Sequence, residues 1–307
     1  MPWGWSRQEC LKTGRVAAAG AGGLASLTYS MKATAMEDQK SAAPDLGILH
    51  DYEYQIDLEG DNALAYVIGF AGAGKKILEL GAGAGMQTQF LAKDKRNDVV
   101  AVEINPASIE KLRKYTDRVY SLDLNAPGWT QALGAEGRFD TIVSADVLEH
   151  LYDPWAAITE MKKLLNDEGE IIVSLPYIGN GAILGLLYDD DFDYREEGLL
   201  DKTHIRFFAL KNIEALHRKA GLAITDARFV LRRPEVTEFH ARWNKLPRAV
   251  RRAFTMGPHA DIYQVVTTAR RSETVSTDFS IFDAAAKRCP PRKRTITQRI
   301  AELLLGS

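Results

Sequence analysis

Short apolar runs alternate with amphipathic segments through the central part of the chain. We predict a buried strand at each run, and the first five are residues 76–80, 98–103, 118–122, 137–146 and 170–175. The segments between them have helical apolar spacing, and Asn105 and Asp153, each followed by proline, are typical helix starts. Buried strands separated by helices are typical of a parallel sheet covered on both faces. The pattern therefore predicts an α/β, doubly wound fold.

The pattern changes after the fifth predicted strand. Residues 177–202 are rich in glycine and aspartate, and we predict partly helical, mobile structure there. A helix at 210–220 is closed by Gly221, and two more strands are predicted at 222–231 and 262–268. The predicted sheet thus has seven strands.

The first strand ends in three glycines at alternate positions, Gly81, Gly83 and Gly85. Glycine permits positive φ and a close approach of backbone to a ligand, and the N–H groups of the following helix point at that ligand. A dinucleotide fingerprint requires its third glycine at position 86, which is Met86. Glu79 would repel a pyrophosphate but suits a cationic, aminoacyl ligand. These residues predict a cradle for S-adenosylmethionine.

The segment 79–85 resembles motif I of the class I S-adenosylmethionine-dependent methyltransferases. Over about residues 60–270 the chain is similar to a bacterial group of this family that includes quinone-biosynthesis O-methyltransferases. The resemblance implies a Rossmann-like, mostly parallel seven-stranded sheet with a reversed pair of edge strands, the last strand being antiparallel. It also implies a substrate lid at 177–206 and methyl transfer as the activity.

Further cofactor contacts are expected where later strands end. Glu103 lies about twenty residues beyond the glycines, where a carboxylate can accept hydrogen bonds from both ribose hydroxyls of an adenosine. The resemblance implies that Asp123 and Leu124 hold the adenine. It further implies that the end of the fourth strand, at Ala145, faces the methionine part of the cofactor.

A group of candidate catalytic residues follows Ala145. Asp146, Glu149 and His150 share one face if the chain turns helical after the strand, and His204 would return to the same crevice. Methylation of a hydroxyl needs help with its proton, from a general base or from a metal ion. We therefore expect Glu149, His150 and His204 to be catalytic. All four residues are also a candidate site for Mg²⁺ or another divalent cation.

This set resembles the metal-binding residues of quinone-biosynthesis O-methyltransferases and of small-RNA 2′-O-methyltransferases, which carry an E-x-x-E-H run and a later histidine. Asp146 stands where those families have glutamate. Residues 197–208 also resemble a signature of bacterial methyltransferases of surface-polysaccharide and glycolipid pathways. The leading prediction is methylation of a hydroxyl on a small molecule, sugar, glycolipid or quinol. The alternatives are a metal-dependent RNA 2′-O-methyltransferase and a non-catalytic S-adenosylmethionine-binding protein.

Charge narrows the choice of partner. The chain has 307 residues, 46% of them hydrophobic, which is enough for one large core. Its formal net charge is -2, so it has no overall basic footprint and nucleic acid is not an expected partner. One segment, 232–258, is locally basic and is predicted to be a solvated helix or a peripheral contact with phosphate or anionic lipid. Its basic residues are Arg232, Arg233, Arg242, Lys245, Arg248, Arg251 and Arg252.

The two ends of the chain are expected to lie outside the catalytic domain. We predict a leader or disordered segment at 1–45, the methyltransferase domain at 46–271 and a tail or docking helix at 272–307. The chain has no run of 18 apolar residues, so no transmembrane segment is predicted. Cys10 and Cys289 are both expected outside the core, which argues against a disulfide framework and favours the cytoplasm.

Overall fold

A seven-stranded sheet forms the centre of the computed structural model, which describes residues 57–275 and 278–290. The strand order is β3-β2-β1-β4-β5-β7-β6. The strands are β1 Lys76–Leu80, β2 Asp98–Glu103, β3 Val119–Ser121, β4 Phe139–Ala145, β5 Leu165–Pro176, β6 Leu222–Leu231 and β7 Ile262–Arg271. All pairings from β3 to β5 are parallel, and β7 is antiparallel to both of its neighbours. The predicted α/β fold with an antiparallel last strand is confirmed.

The expected reversed pair of edge strands is wrong in one respect. Only β7 is reversed, and it lies inside the sheet between β5 and β6. The edge strand β6 therefore runs in the same direction as β5. A strand that follows a crossover helix returns parallel, whereas the final strand enters between two parallel neighbours from the opposite end.

Helices cover both faces of the sheet and connect its strands. They are α1 Ala63–Ala71, α2 Met86–Gln89, α3 Pro106–Leu112, α4 Pro154–Leu164, α5 Gly181–Tyr188, α6 Leu210–Lys219, α7 His240–Lys245, α8 Arg248–Met256 and α9 Ile281–Arg288. The expected helix starts are present, because the Asn105 and Asp153 side chains accept hydrogen bonds from backbone N–H groups of the first turns of α3 and α4. None of the helices within the described ranges is long and apolar enough to cross a membrane.

The central strands are buried on both faces, which explains why their sequences are apolar without alternation. Ile142 of β4 and Ile171 of β5 belong to the main core with α4 and α6, whereas the next residue on each strand, Val143 and Ile172, packs towards α1. Side chains of a strand point alternately to its two faces, so each strand contributes to both layers of the core. This arrangement fixes the carboxyl ends of the strands along one edge.

The described part of the C-terminal segment differs from the predicted tail. In α9, Ile281 and Ala285 lie one turn apart, and both enter the main core together with Cys289. The expectation that Cys289 lies outside the core was wrong, because the spacing of four residues places these three side chains on one face of the helix. The predicted leader, Cys10 and residues 291–307 lie outside the described residues.

Candidate functional site

The glycine turn joins β1 to α2 and has the positive φ angles that the sequence predicts. Gly81, Gly83 and Gly85 have φ of 64°, 55° and 90°. A Cβ atom on Gly81 would lie 2.5 Å from Cγ2 of Val147, and one on Gly85 would lie 2.6 Å from Cδ2 of Tyr115. Any larger residue at either position would therefore meet both backbone strain and a steric clash.

A cavity of about 560 Å³ opens at this turn, a size that suits a nucleoside-sized ligand. Four of the predicted cofactor residues line it, namely Glu79, Gly81, Gly83 and Ala145, and Asp146 lines it as well. Other lining residues come from the starts of α1, α2 and α3. They include Leu64, Val67, Met86, Gln87, Asn105 and Ser108. The cavity thus lies at the carboxyl ends of β1 and β4, where ligands bind in open α/β sheets.

Four predicted cofactor residues lie outside the lining of this cavity, and Glu103, described below, is one of them. Gly85 faces Tyr115 rather than the cavity. Asp123 and Leu124 follow the end of β3, where Oδ1 of Asp123 accepts a hydrogen bond from the Asn125 N–H at 2.8 Å and Leu124 packs against the main core. Their predicted contact with adenine stays a prediction.

Glu103 is the last residue of β2, and its carboxylate hydrogen-bonds the backbone of residues that line the cavity. Its Oε2 accepts a hydrogen bond from the Gly83 N–H at 2.8 Å, and its Oε1 accepts from the N–H groups of Ile104 and Asn105, each at 2.8 Å. A carboxylate oxygen can accept two hydrogen bonds, so Oε2 retains one lone pair for a ligand. Glu103 therefore both shapes the glycine turn and can bind what enters it.

Glu79 is a buried carboxyl at the base of the cavity. It accepts hydrogen bonds from Nε2 of Gln87 at 2.8 Å and from Oγ1 of Thr88 at 2.6 Å. Burial, reinforced by the charge of Glu103, raises the pKa of Glu79 to about 7 although both hydrogen bonds act in the opposite direction. Gln87 and Thr88 were not predicted as site residues, although their position in the first helical turn after the glycines indicated that they could be.

Glu79→Gln is expected to stabilise the ligand-free protein by about 2–3 kcal/mol more at pH 8 than at pH 5. The folded pKa of about 7 lies above the ordinary value of 4.5, so ionisation favours the unfolded chain. The stability that the protonated carboxyl contributes is complete below pH 4.5 and is lost as the pH rises through 7. Urea unfolding at both pH values measures the difference, with Glu110→Gln on the exposed side of α3 as the matched control. Equal changes at the two pH values would show that Glu79 is ionised in the folded protein.

A second group of polar side chains lies just beyond β4. Glu149 and His150 are in a short 3₁₀ turn, Leu148–His150, and His204 returns to them from a distant part of the chain. The return is fixed because the N–H groups of Ile205 and Arg206 both donate to the backbone carbonyl of Glu149, at 2.9 and 3.0 Å. One ligand atom from each of the three side chains lies within 4.8 Å of the others, and His204 Nε2 is 3.9 Å from Glu149 Oε1.

Backbone carbonyls fix the tautomers of both histidines. His150 Nδ1 lies 3.2 Å from the Thr203 carbonyl and 3.1 Å from Thr203 Oγ1, and His204 Nδ1 lies 3.3 Å from the Leu199 carbonyl. A carbonyl only accepts, so we assign the proton of each ring to Nδ1, which leaves a lone pair at Nε2. Burial lowers the pKa of both histidines, and the proximity of His150 adds to this for His204. Both rings are therefore neutral near pH 7.

Glu149 is the unusual member of the group. Its side chain is buried, and among the residues that the structure describes neither carboxyl oxygen has a hydrogen-bond partner. Burial, followed by the charge of Asp146, raises the pKa of Glu149 well above its ordinary value. Buried polar groups are rarely left unpaired, so this carboxyl indicates a place for a hydrogen-bond donor or a cation.

Asp146 differs from the predicted four-residue set. Its Oδ1 accepts a hydrogen bond from Nε2 of Gln264 at 2.5 Å, and Ser174 also hydrogen-bonds the carboxyl. The side chain is open to the cofactor cavity but protein surrounds it elsewhere, which raises its pKa to about 6. The structure thus brings together Glu149, His150 and His204, and leaves Asp146 at the cavity. Gln264 was not predicted, since nothing in the sequence of β7 indicates which of its side chains will reach Asp146.

Comparison with known proteins identifies relatives of the chain. A family model described as a methyltransferase domain matches residues 49–227, more than half of the chain. A ubiquinone biosynthesis O-methyltransferase of Azotobacter vinelandii is 29% identical over 168 residues, which cover 50% of this chain and 67% of the relative. A protein of the same name from Acinetobacter baylyi is 23% identical over 208 residues, covering 66% of this chain and 79% of the relative.

A solved structure shows the same fold. A crystal structure from Bacillus halodurans C-125, described as that of a methyltransferase, superposes with a TM-score of 0.50 and 16% sequence identity. The match covers 68% of this chain and 98% of that chain. At this identity the likeness concerns the fold alone.

Proposed function

The chain belongs to the methyltransferase-domain family of S-adenosylmethionine-dependent enzymes, and on that basis we propose that it methylates a hydroxyl group of a small quinol-type, sugar or glycolipid acceptor. The observation that carries the choice of a hydroxyl is the buried Glu149 carboxyl, which has no hydrogen-bond partner in the part of the chain that the structure describes and lies beside two imidazoles with lone pairs on Nε2. An oxygen nucleophile needs such help near neutral pH. The names of the two relatives, ubiquinone biosynthesis O-methyltransferase, support an oxygen acceptor.

The cofactor would occupy the cavity at the glycine turn. We expect the remaining lone pair of Glu103 Oε2 to accept a hydrogen bond from a ribose hydroxyl, and Glu79 to lie near the positive charge of the aminoacyl end. A nearby cation favours the ionised form of a carboxyl, so binding would lower the raised pKa of Glu79. Ala145 and Asp146, which line the cavity, would lie on the side of the cofactor that faces the acceptor. Glu149, His150 and His204, called the Glu149 group below, would contact the acceptor.

Methyl transfer forms a C–O bond as the C–S bond of the sulfonium breaks, and the hydroxyl must lose its proton. We propose that Nε2 of His204 accepts this proton, because the Leu199 carbonyl holds the ring in the tautomer with a lone pair there. The resulting imidazolium would lie 3.9 Å from Oε1 of Glu149, which stabilises its charge once that carboxyl is ionised. His150 would position the acceptor through its own Nε2. The protein mainly orients the reactants, because the sulfonium supplies the reactivity.

The same three side chains fit a divalent cation. Glu149 offers two oxygens without partners, and the two imidazoles are oriented through Nδ1 by backbone carbonyls, as in many metal sites. Glu149, His150 and His204 would hold the ion, whereas Asp146 is engaged by Gln264. A bound cation lowers the pKa of a hydroxyl and orients it. Both proposals place the acceptor hydroxyl at the same three residues.

Transfer of labelled methyl from S-adenosylmethionine into cell-extract fractions tests the proposal. We expect label in small-molecule or lipid fractions and in a product that resists alkali, because an ether survives conditions under which a methyl ester releases labelled methanol. Loss of transfer with EDTA and recovery with Mg²⁺ or Mn²⁺ would support the cation, whereas transfer that survives EDTA supports His204 alone. Label in RNA, or alkali-labile label, would contradict the proposal. S-adenosylmethionine binding without transfer to any fraction would identify a binding protein.

A further inference from the structure

Helix α5 has an apolar outer face that nothing in the described residues covers. Its inner face packs closely on α7 and the residue after it, since a Cβ on Gly185 would lie 2.7 Å from Cδ1 of Leu246. On the outer face, Leu184, Leu187 and Tyr188 are 37%, 54% and 58% exposed. These residues lie three and four positions apart and form one patch. Surface helices of globular proteins normally carry polar residues outward, so a contiguous apolar patch indicates an interaction site.

Helix α8 lies beside this patch and carries cations. The Tyr188 ring contacts the Phe254 ring with centroids 6.1 Å apart, so the two helices form one continuous surface. Arg248 and Arg252 are exposed one turn apart on α8, and neither forms an ion pair within residues 57–275 and 278–290. Arg251 between them is half-buried. The five residues Leu184, Leu187, Tyr188, Arg248 and Arg252 are called the α5–α8 surface below.

Acidic groups next to this surface are partly offset by one arginine. Asp189 and Asp191 follow α5, and Arg242 pairs with both, at 4.0 and 3.1 Å. Asp190 between them is exposed. Arg242 offsets one of these three carboxylates, so two negative charges remain beside the three arginines of α8. This local excess is notable because the whole chain has a formal net charge of -2.

We propose that the α5–α8 surface docks on an anionic lipid bilayer. The apolar side chains would enter the headgroup region while the arginines contact lipid phosphates. Amphipathic helices that lie on membranes bind in this way. A polyanion without an apolar phase would leave Leu187 and Tyr188 in water, and so would not account for the patch. Leu199, whose carbonyl accepts a hydrogen bond from His204, belongs to the same core cluster as Ile183 and Leu186 of α5, so docking would bring the acceptor side of the site towards the bilayer. The inference concerns binding alone and holds whatever the acceptor is.

Co-sedimentation of the full-length protein with vesicles, without cofactor or acceptor, tests this proposal. We expect binding to vesicles of mixed phosphatidylglycerol and phosphatidylcholine, and little binding to phosphatidylcholine alone. The double variant Arg248→Gln/Arg252→Gln should bind about thirty-fold more weakly at low salt. Leu187→Ser/Tyr188→Ser should also weaken binding, and the loss that it causes should depend less on salt than the loss caused by the arginine variant. The matched control is Arg113→Gln/Lys114→Gln, which removes two exposed cations near the other edge of the sheet and should bind as the wild type does.

Several results would overturn the proposal. Wild-type protein that ignores anionic vesicles would do so, as would variants of the α5–α8 surface that bind as the wild type does. If gel filtration instead shows a wild-type dimer that either double variant dissociates, the surface is an interface between two copies. Calorimetric binding of S-adenosylmethionine by each variant confirms its fold. Because vesicle binding needs no methyl transfer, failure here is distinguishable from failure of the proposed activity.

Discussion

His204→Ala is expected to lower kcat by about 10²- to 10⁴-fold, the usual contribution of a general base. The Kd for S-adenosylmethionine should stay within about twofold of the wild-type value, because His204 does not line the cofactor cavity. The loss of kcat follows from the geometry of the Glu149 group. Because Nδ1 of His204 donates to the Leu199 carbonyl, the lone pair of the ring is on Nε2, the atom that faces Glu149. Steady-state kinetics with saturating cofactor, together with calorimetry for the cofactor, separate the two quantities.

The control for this variant is His240→Ala. His240 lies on α7 with an exposed side chain, and its removal should leave kcat unchanged. The role of His204 is contradicted if its variant keeps more than about a tenth of the wild-type kcat. A parallel loss of cofactor binding would also contradict it, because that result would mean a general structural defect. Titration of wild type and variant with Mn²⁺ then tells whether the imidazole acts through a cation. If it does, the affinity of the variant for Mn²⁺ falls together with its kcat.

Glu103→Ala is expected to weaken S-adenosylmethionine binding by about 100-fold, because two hydrogen bonds of a charged acceptor are lost. One is the hydrogen bond that the remaining lone pair of Oε2 would accept from a ribose hydroxyl. The other is the 2.8 Å hydrogen bond from the Gly83 N–H, which holds the glycine turn in place. Because the acceptor side of the site is untouched, kcat at saturating cofactor should change much less than the Kd. Calorimetry and kinetics over a wide range of cofactor concentration measure both.

Glu110→Ala is the matched control, because Glu110 lies on the helix that follows Glu103 but is exposed. It should bind the cofactor as the wild type does. If Glu103→Ala binds normally, Glu103 serves only to shape the turn. If instead kcat falls as far as affinity, Glu103 also affects the position of the methyl group.

Local sequence was sufficient to predict most of the secondary structure. The predicted strands at 76–80 and 98–103 have the same bounds in the structure, since both are buried on two faces and are flanked by clear turn residues. Other bounds moved by several residues. Strand β5 begins at Leu165 directly after α4 and has an irregular register with β4, whereas the predicted strand began at residue 170. The extension pairs with β4 through Phe139 and Leu165, a contact that the composition of the segment does not indicate.

The contacts of individual side chains were much harder to predict. The spacing of Asp146, Glu149 and His150 placed three possible ligands together, but Gln264 on β7 takes up Asp146. The contact between Thr203 and His150 shows the same limit, since the Thr203 carbonyl fixes the tautomer of a histidine 53 residues away. Such contacts depend on the register between distant strands and loops, which short-range patterns do not contain.

The sequence by itself determined the fold class, the glycine turn of the cofactor cavity and the identity of Glu79, Glu103, Glu149 and His204 as candidates. These features are local, because a buried strand, a positive φ and a strand-end carboxylate each depend on a few neighbouring residues. The tertiary structure decided that only β7 is reversed, that Cys289 is in the core and that Glu149 is buried with no hydrogen-bond partner among the described residues. It also brought the apolar face of α5 beside the arginines of α8. Burial and the meeting of distant segments follow from the packing of the whole domain.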